Sequence, residues 1–230
     1  MRLSRNWRKA PWHLRYRVGA DVASRARRVL IELTHLHCHV EFQGPVHIGP
    51  GFRLVIPDKG TLVIGAGTVF RQGFVCEIGG NGRVVIGPNC EFTSHVLLQC
   101  STSIEVGERC AVGQSVLIVD GNHRFRDWTR HLLDQGYDDF RPVHIGDGAI
   151  VMAKVSIIGA DIGTRAVIGA NSVVTRSIPA YCLAYGAPAR IVEYFGPPDQ
   201  RPAELDGQPS LGRRRSSSNQ NEAGSPSESP

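Results

Sequence analysis

Ile145-Gly146-Asp147-Gly148-Ala149-Ile150-Val151 opens a stretch, running to Val174, whose reading decides the fold. An aliphatic residue recurs at Ile145, Val151, Ile157, Ile162, Ile168 and Val174. Every step is six residues except the five between Ile157 and Ile162. Glycine follows several of them directly (Gly146, Gly163, Gly169), and a small or β-branched residue stands four places on (Ala149, Val155, Ala166, Ser172). A helix repeats every 3.6 residues and a strand every two, so neither produces this beat. A longer period sustained over this much chain marks a repeat architecture.

The same aliphatic-glycine pair occurs upstream at Ile48, Ile64, Ile78, Ile86, Val106 and Val112. Their spacings are 16, 14, 8, 20 and 6, so the early turns of the repeat contain insertions. The repeat zone covers residues 46–178 and breaks between His123 and Pro142. One hexad supplies a short strand and a corner, so three hexads close a triangular coil of about 18 residues. Stacked coils pair as parallel strands about 4.8 Å apart, and roughly six coils fit the zone.

The remainder divides by composition. The expected organisation is a basic amphipathic helical segment over 1–40, the coil over 41–180 with an inserted loop at 124–141, a cap over 181–196 and a disordered tail over 197–230. Leu14, Val18, Val22, Ala26, Leu30 and Leu33 form a helical stripe. Residues 1–30 hold nine Lys/Arg against Asp21, whereas residues 31–200 hold 13 basic and 16 acidic groups. The net charge of +5 therefore belongs to the N-terminus, and a nucleic-acid face on the body is excluded. A basic helix of this kind either packs on the end of the β-domain or, through residues 1–33, meets an anionic membrane surface. The tail has six Pro and seven Ser, a composition that cannot bury enough apolar area to order itself. No apolar run is long enough to span a bilayer, and the basic N-terminal residues, with no apolar stretch behind them, are not expected to act as a secretory signal. Six cysteines without a CxxC pair read as buried free thiols in a reducing, cytoplasmic setting.

The stretch IGDGAIVMAKVSIIGADIGTRAVIGANSVVTRSIP, followed by YGAPARIV, resembles the C-terminal half of the hexapeptide-repeat acyltransferases. The resemblance covers about residues 46–195 and is similar in particular to the maltose, nodulation-factor and polysaccharide O-acetyltransferases. It implies a mainly β chain folded as a left-handed parallel β-helix, an exception to the usual right-handed crossover. It implies a homotrimer, with acetyl-CoA between neighbouring prisms and no metal. His123, in the turn Val119-Asp120-Gly121-Asn122-His123, matches the family's catalytic histidine. An imidazole suits the removal of a hydroxyl proton near neutral pH. Either Asp120 or Asn122 is expected to orient its ring. Arg176 and Arg190 match the family's phosphate contacts, Ala153 a pantetheine-channel residue, and Gly186 the turn nearest the adenine. Met152 and Lys154 stand where relatives often carry Gly, and Ile150 where they often carry Trp.

The loop 124–141 carries Trp128 and Tyr137 among charged residues. A loop this long is usually functional, so these two, with His95 in an earlier coil, are expected to contact a saccharide acceptor; packing between subunits is the other reading. His35-Leu36-His37-Cys38-His39 would present alternate side chains to a metal if it were a strand, but no distant partner cluster accompanies it. A saccharide O-acetyltransferase is the expected function. The alternatives are a non-catalytic β-helix scaffold and a γ-carbonic-anhydrase-like zinc enzyme. The latter type shows two His with four residues between them, and this chain has no such pair.

Overall fold

The structure, a computed structural model, describes residues 19–138 and 141–205. After helix α1 (Gly19–Thr34), the chain winds into a three-sided parallel β-helix. The first coil is β1 (His39–Phe42), β2 (His47–Ile48) and β3 (Arg53–Val55). The second is β4 (Thr61–Ile64), β5 (Val69–Phe70) and β6 (Val75–Ile78); the third is β7 (Arg83–Ile86), β8 (Glu91–Phe92) and β9 (Leu97–Cys100). The fourth is β10 (Ser103–Val106), β11 (Ala111–Val112) and β12 (Leu117–Val119). The loop follows, with β13 (Asn122–His123) and β14 (Tyr137–Asp138). The fifth coil is β15 (Val143–Ile145), β16 (Ile150–Val151) and β17 (Ser156–Ile158). The sixth carries β18 (Val167–Ile168) and β19 (Val173–Val174), and the hairpin β20 (Cys182–Gly186) and β21 (Ala189–Tyr194) closes the stack.

The coils taper. His39 lies beside Thr61 and Thr61 beside Arg83, so the first turns take 22 residues rather than the expected 18. Arg83 lies beside Ser103, a turn of 20, and Val167 beside Leu183, a turn of 16. The longer perimeter comes from four-residue strands on the first and third sides, where the later coils have two or three residues. A wider coil encloses more volume, and bulkier side chains fill it. Phe70, Phe74 and Phe92 are fully buried with centroids 4.5–5.3 Å apart, whereas Ile, Val and Ala occupy the narrow coils. Close packing requires this match of side-chain volume to space.

The corners explain the hexad's polar positions. Residues with left-handed φ recur six apart at Gly67 and Gly73, Asn89 and His95, Arg109 and Ser115, Gly148 and Lys154, and Arg165 and Asn171. The glycine after an inward aliphatic residue has, at every such position but Gly79, a different cause, the closeness of the next coil. A Cβ on Gly163 would sit 2.2 Å from the Ala180 nitrogen. Cys90 and Cys110, in the small-residue slot, are buried free thiols.

Three segments flank the coil, and the last of them departs from the expected disorder. Helix α1 does not pack through its apolar stripe: Ser24 and Ile31 face the coil, while Val22, Leu30 and Leu33 face outward. Leu14 and Val18 lie outside the described residues. The physical reason is that the first coil offers unpaired backbone groups at its edge, which polar side chains satisfy better than apolar ones. The segment 35–38 is a turn and not a strand, and the rings of His35 and His37 lie against the carbonyls of Ile31 and Ile56. Among the described residues no group of three His, Cys, Asp or Glu could hold a metal ion. Finally, the chain is ordered past Pro197: Arg201 lies over the Tyr194 ring and Leu205 is buried, which anchors the segment to the closing hairpin. Residues 206–230 of the expected tail lie outside the described residues.

Candidate functional site

The third side of the prism carries an outward row formed by Val55, Glu77, Gln99, Val119 and Ile158, one residue per coil. Directly after β12 the chain leaves the coil, and β13 and β14 pair as a short antiparallel hairpin. His123 and Tyr137 are backbone partners in that hairpin, and their rings pack with centroids 4.4 Å apart at 33°. The hairpin overhangs the row, so a cleft of about 580 Å3 forms between them. Glu77, Gln99, Asn122, His123 and Tyr137 are among its lining residues, and Gln99 Nε2 donates to Glu77 Oε2 at 2.9 Å.

A second cleft, of about 420 Å3, lies on the other side of the hairpin. Arg124, Phe125, Arg126, Arg141 and Thr175 line it, and Gly121, Asn122, His123 and Ile158 are shared with the first. An exposed imidazole therefore stands at the boundary of two clefts. The loop beyond it is braced from within. Gln135, though polar, is buried; its amide donates to the carbonyls of Asp127 and Arg130 and accepts from the Asp127 N–H.

Asp120 has a different task from the one expected of it. It is 1 % exposed, and its carboxylate accepts from the backbone N–H groups of Ser101, Thr102 and Ser103 at 2.6–3.1 Å and from the Thr102 hydroxyl at 2.9 Å. Its carbonyl accepts from the Arg141 N–H, at 2.7 Å, where the chain re-enters the coil. Asp120 thus ties the corner of the preceding coil to both ends of the loop and is not the group that orients His123. Among the described residues, the contact to the His123 ring comes from Tyr137. Burial, followed by the Asp120 charge and hydrogen bond, pushes the neighbouring Cys100 thiol up to about 12.

The other expected acceptor residues separate. Tyr137 lines the first cleft, but His95 and Trp128 line neither. His95 occupies a left-handed corner with its ring over Gly73, and Trp128 is 92 % exposed at the loop's outer side. Glu77 and Gln99 were missed. The signal for them is their stacking one coil apart, which is visible only when the turn is known to take 22 residues.

The expected cofactor residues do not meet within one chain's cleft. Ala153 follows β16 on the second sheet, where it accepts from Asn171 N. Gly186 and Arg190 sit at the β20–β21 hairpin, with Gly186 N donating to Ser172 Oγ and Arg190 opposite Tyr185. Ile150, Met152 and Tyr185 present apolar surface on the same side. Arg176 follows β19 on the third sheet, next to Thr175 at the end of the second cleft.

No protein-family model matches the chain. In sequence it is 30 % identical over 164 residues to a protein of Mycobacterium tuberculosis named a probable acetyltransferase, covering 67 % of this chain. The chain spans about half the length of that curated relative, 52 %. In structure it is similar to a hexapeptide-repeat acetyltransferase of Vibrio cholerae complexed with acetyl-CoA, at 23 % identity and TM-score 0.51, covering 75 % of this chain and 79 % of that one. The two share the hexapeptide-repeat fold. A galactoside acetyltransferase in complex with coenzyme A is similar at 18 % identity and TM-score 0.52, over 84 % of this chain and 80 % of that one. The β-helix of these structural neighbours is left-handed. No helix among the described residues of this member of the fold is long and apolar enough to cross a membrane.

Proposed function

We propose that the protein is an acyltransferase that moves the acetyl group of acetyl-CoA to a hydroxyl of a saccharide, such as a cell-surface polysaccharide precursor. The observation that carries this reading is the position of His123 between two clefts that share its side chain. The first, with Glu77, Gln99 and Tyr137, offers carboxylate, amide and ring to a polyol. The second, with three arginines in its lining, leads toward Thr175 and suits an anionic donor. The galactoside acetyltransferase binds coenzyme A on the same fold, which supports this choice of donor.

In this reading His123 takes the proton of the acceptor hydroxyl as its oxygen attacks the thioester carbonyl. A backbone N–H stabilises the oxyanion. The C–S bond then breaks, and the imidazolium returns the proton to the leaving thiolate. Arg176 and Arg190 hold the donor's phosphates, with Ala153 and Gly186 along its length. Arg176 and Arg190 lie on different sheets, which favours a groove between neighbouring prisms and thus a homotrimer. A cytoplasmic setting suits the six free thiols.

The test is acetyl-CoA turnover against a panel of sugars and glycans, with products identified by mass spectrometry. His123→Ala should lower turnover by about two to four decades with light scattering unchanged. Full turnover by that variant, or no transfer to any member of the panel by the wild type, would sink the assignment.

A further inference from the structure

Helix α1 is amphipathic and seated the opposite way from an ordinary surface helix. Its polar side faces the protein. Ser24 Oγ accepts from the Ile48 N–H at 2.7 Å, Arg27 donates to the Ile48 carbonyl at 2.9 Å, and Arg28 donates to the Gly44 carbonyl at 2.7 Å. The Arg28 guanidinium also covers the Phe42 ring. Those contacts seal the open edge of the first coil. They leave Val22, Val29, Leu30 and Leu33 on the outside, 52–64 % exposed, and Leu36 just beyond at 82 %. At 100° per residue the four helical side chains and Ala26 fall within an arc of about 100°. An apolar stripe this continuous on a water-facing surface marks an interaction site.

We propose that this face docks on a lipid surface rich in anionic headgroups. Charge selects that occupant. The eighteen residues preceding the helix in sequence hold six Lys/Arg and no acid, with Trp7, Trp12 and Tyr16 among them. Aromatic residues of this kind favour the membrane–water interface. At the flank of the stripe, Arg25 is exposed and makes no ion pair among the described residues. It borders a cleft of about 570 Å3 between helix and coil that Arg28 and His47 also line, together with Asp21, whose carboxylate lies 3.9 Å from the His47 ring. Arg25 connects that cleft to the flank of the apolar stripe, where a headgroup phosphate would lie if the helix sat in the plane of the interface. Size argues against a second copy of the chain as the occupant. A sixteen-residue helix presents a face about 24 Å long and about 10 Å wide, well short of the about 800 Å2 per partner of a stable interface.

Sedimentation of the full chain with vesicles decides the matter. Wild type should pellet with phosphatidylcholine mixed with phosphatidylglycerol, remain in the supernatant with phosphatidylcholine alone, and be released by high salt. Val29→Glu combined with Leu33→Glu should reduce binding at least tenfold without changing elution volume or circular dichroism. Arg25→Ala should weaken binding with the apolar stripe intact. The proposal is overturned if wild type ignores the anionic vesicles or binds both vesicle types equally. It is also overturned if the double variant elutes as a smaller assembly, since a second copy then covers the face.

Discussion

Tyr137 faces His123 across a two-strand hairpin, and its ring lies 4.4 Å from the imidazole, centroid to centroid. The pairing fixes the orientation of an exposed side chain that would otherwise sample several rotamers. Tyr137→Phe keeps the ring and should leave kcat within about twofold of wild type. Tyr137→Ala removes it and should lower kcat by about tenfold, the equivalent of about 1.4 kcal/mol in the barrier. Steady-state kinetics on both variants separates a positioning ring from a merely nearby one.

Asp120 should prove to be a stability residue. Replacing it with Ala strands the N–H groups of Ser101, Thr102 and Ser103, and unsatisfied donors cost about 1–3 kcal/mol each when buried. With partial access to water, a total loss of about 2–4 kcal/mol is expected in urea unfolding. His123→Ala, at an exposed position, should unfold at the wild-type midpoint.

Gly163→Ala tests the reason for glycine in the hexad. Its Cβ would meet the backbone of Pro179 and Ala180 at 2.2–2.7 Å, so the neighbouring turn must move. A loss of about 1–3 kcal/mol is expected. Gly79→Ala, whose Cβ finds nothing closer than 4.0 Å, serves as the near-neutral control. Equal midpoints for the two variants would contradict the close-approach explanation.

Thiol titration tests the buried ladder. Cys76, Cys90, Cys100, Cys110 and Cys182 are all buried, and Cys38 is half-buried. The neighbouring Cys90 thiol shifts Cys110 down from its ordinary value, yet Cys110 is 2 % exposed, so access decides its reactivity. Native protein should react with Ellman's reagent at Cys38 alone, and denatured protein at all six. Fast reaction of a second thiol in the native state would show that the coil opens locally.

Much of the site was legible for a simple reason. The hexad beat locates the coil, and its interruption after His123 locates the hairpin, because a coil that must keep its inward ladder can accommodate a long insertion only at a corner. Tyr137 was legible as a loop aromatic. Asp120 was misread because a carboxylate three residues before a histidine suggests a partner in sequence. Its real partners, Ser101 to Ser103, are neighbours only across one turn of the coil. Trp128 and His95 fall outside both clefts for the same reason, since neither the loop's path nor the left-handed corner is written in residue type.

The sequence by itself determined the repeat, the inward aliphatic ladder, the position of the break and the location of charge, all of which are properties of spacing along the chain. Tertiary structure decided what depends on how many residues each turn takes. It set the 22-residue coils and the phenylalanines that fill them, and the row that brings Glu77 and Gln99 into one cleft with His123. It also decided the seating of α1. Periodicity names the apolar face of a helix but not the side the protein needs, and here the unpaired edge of the first coil took the polar one.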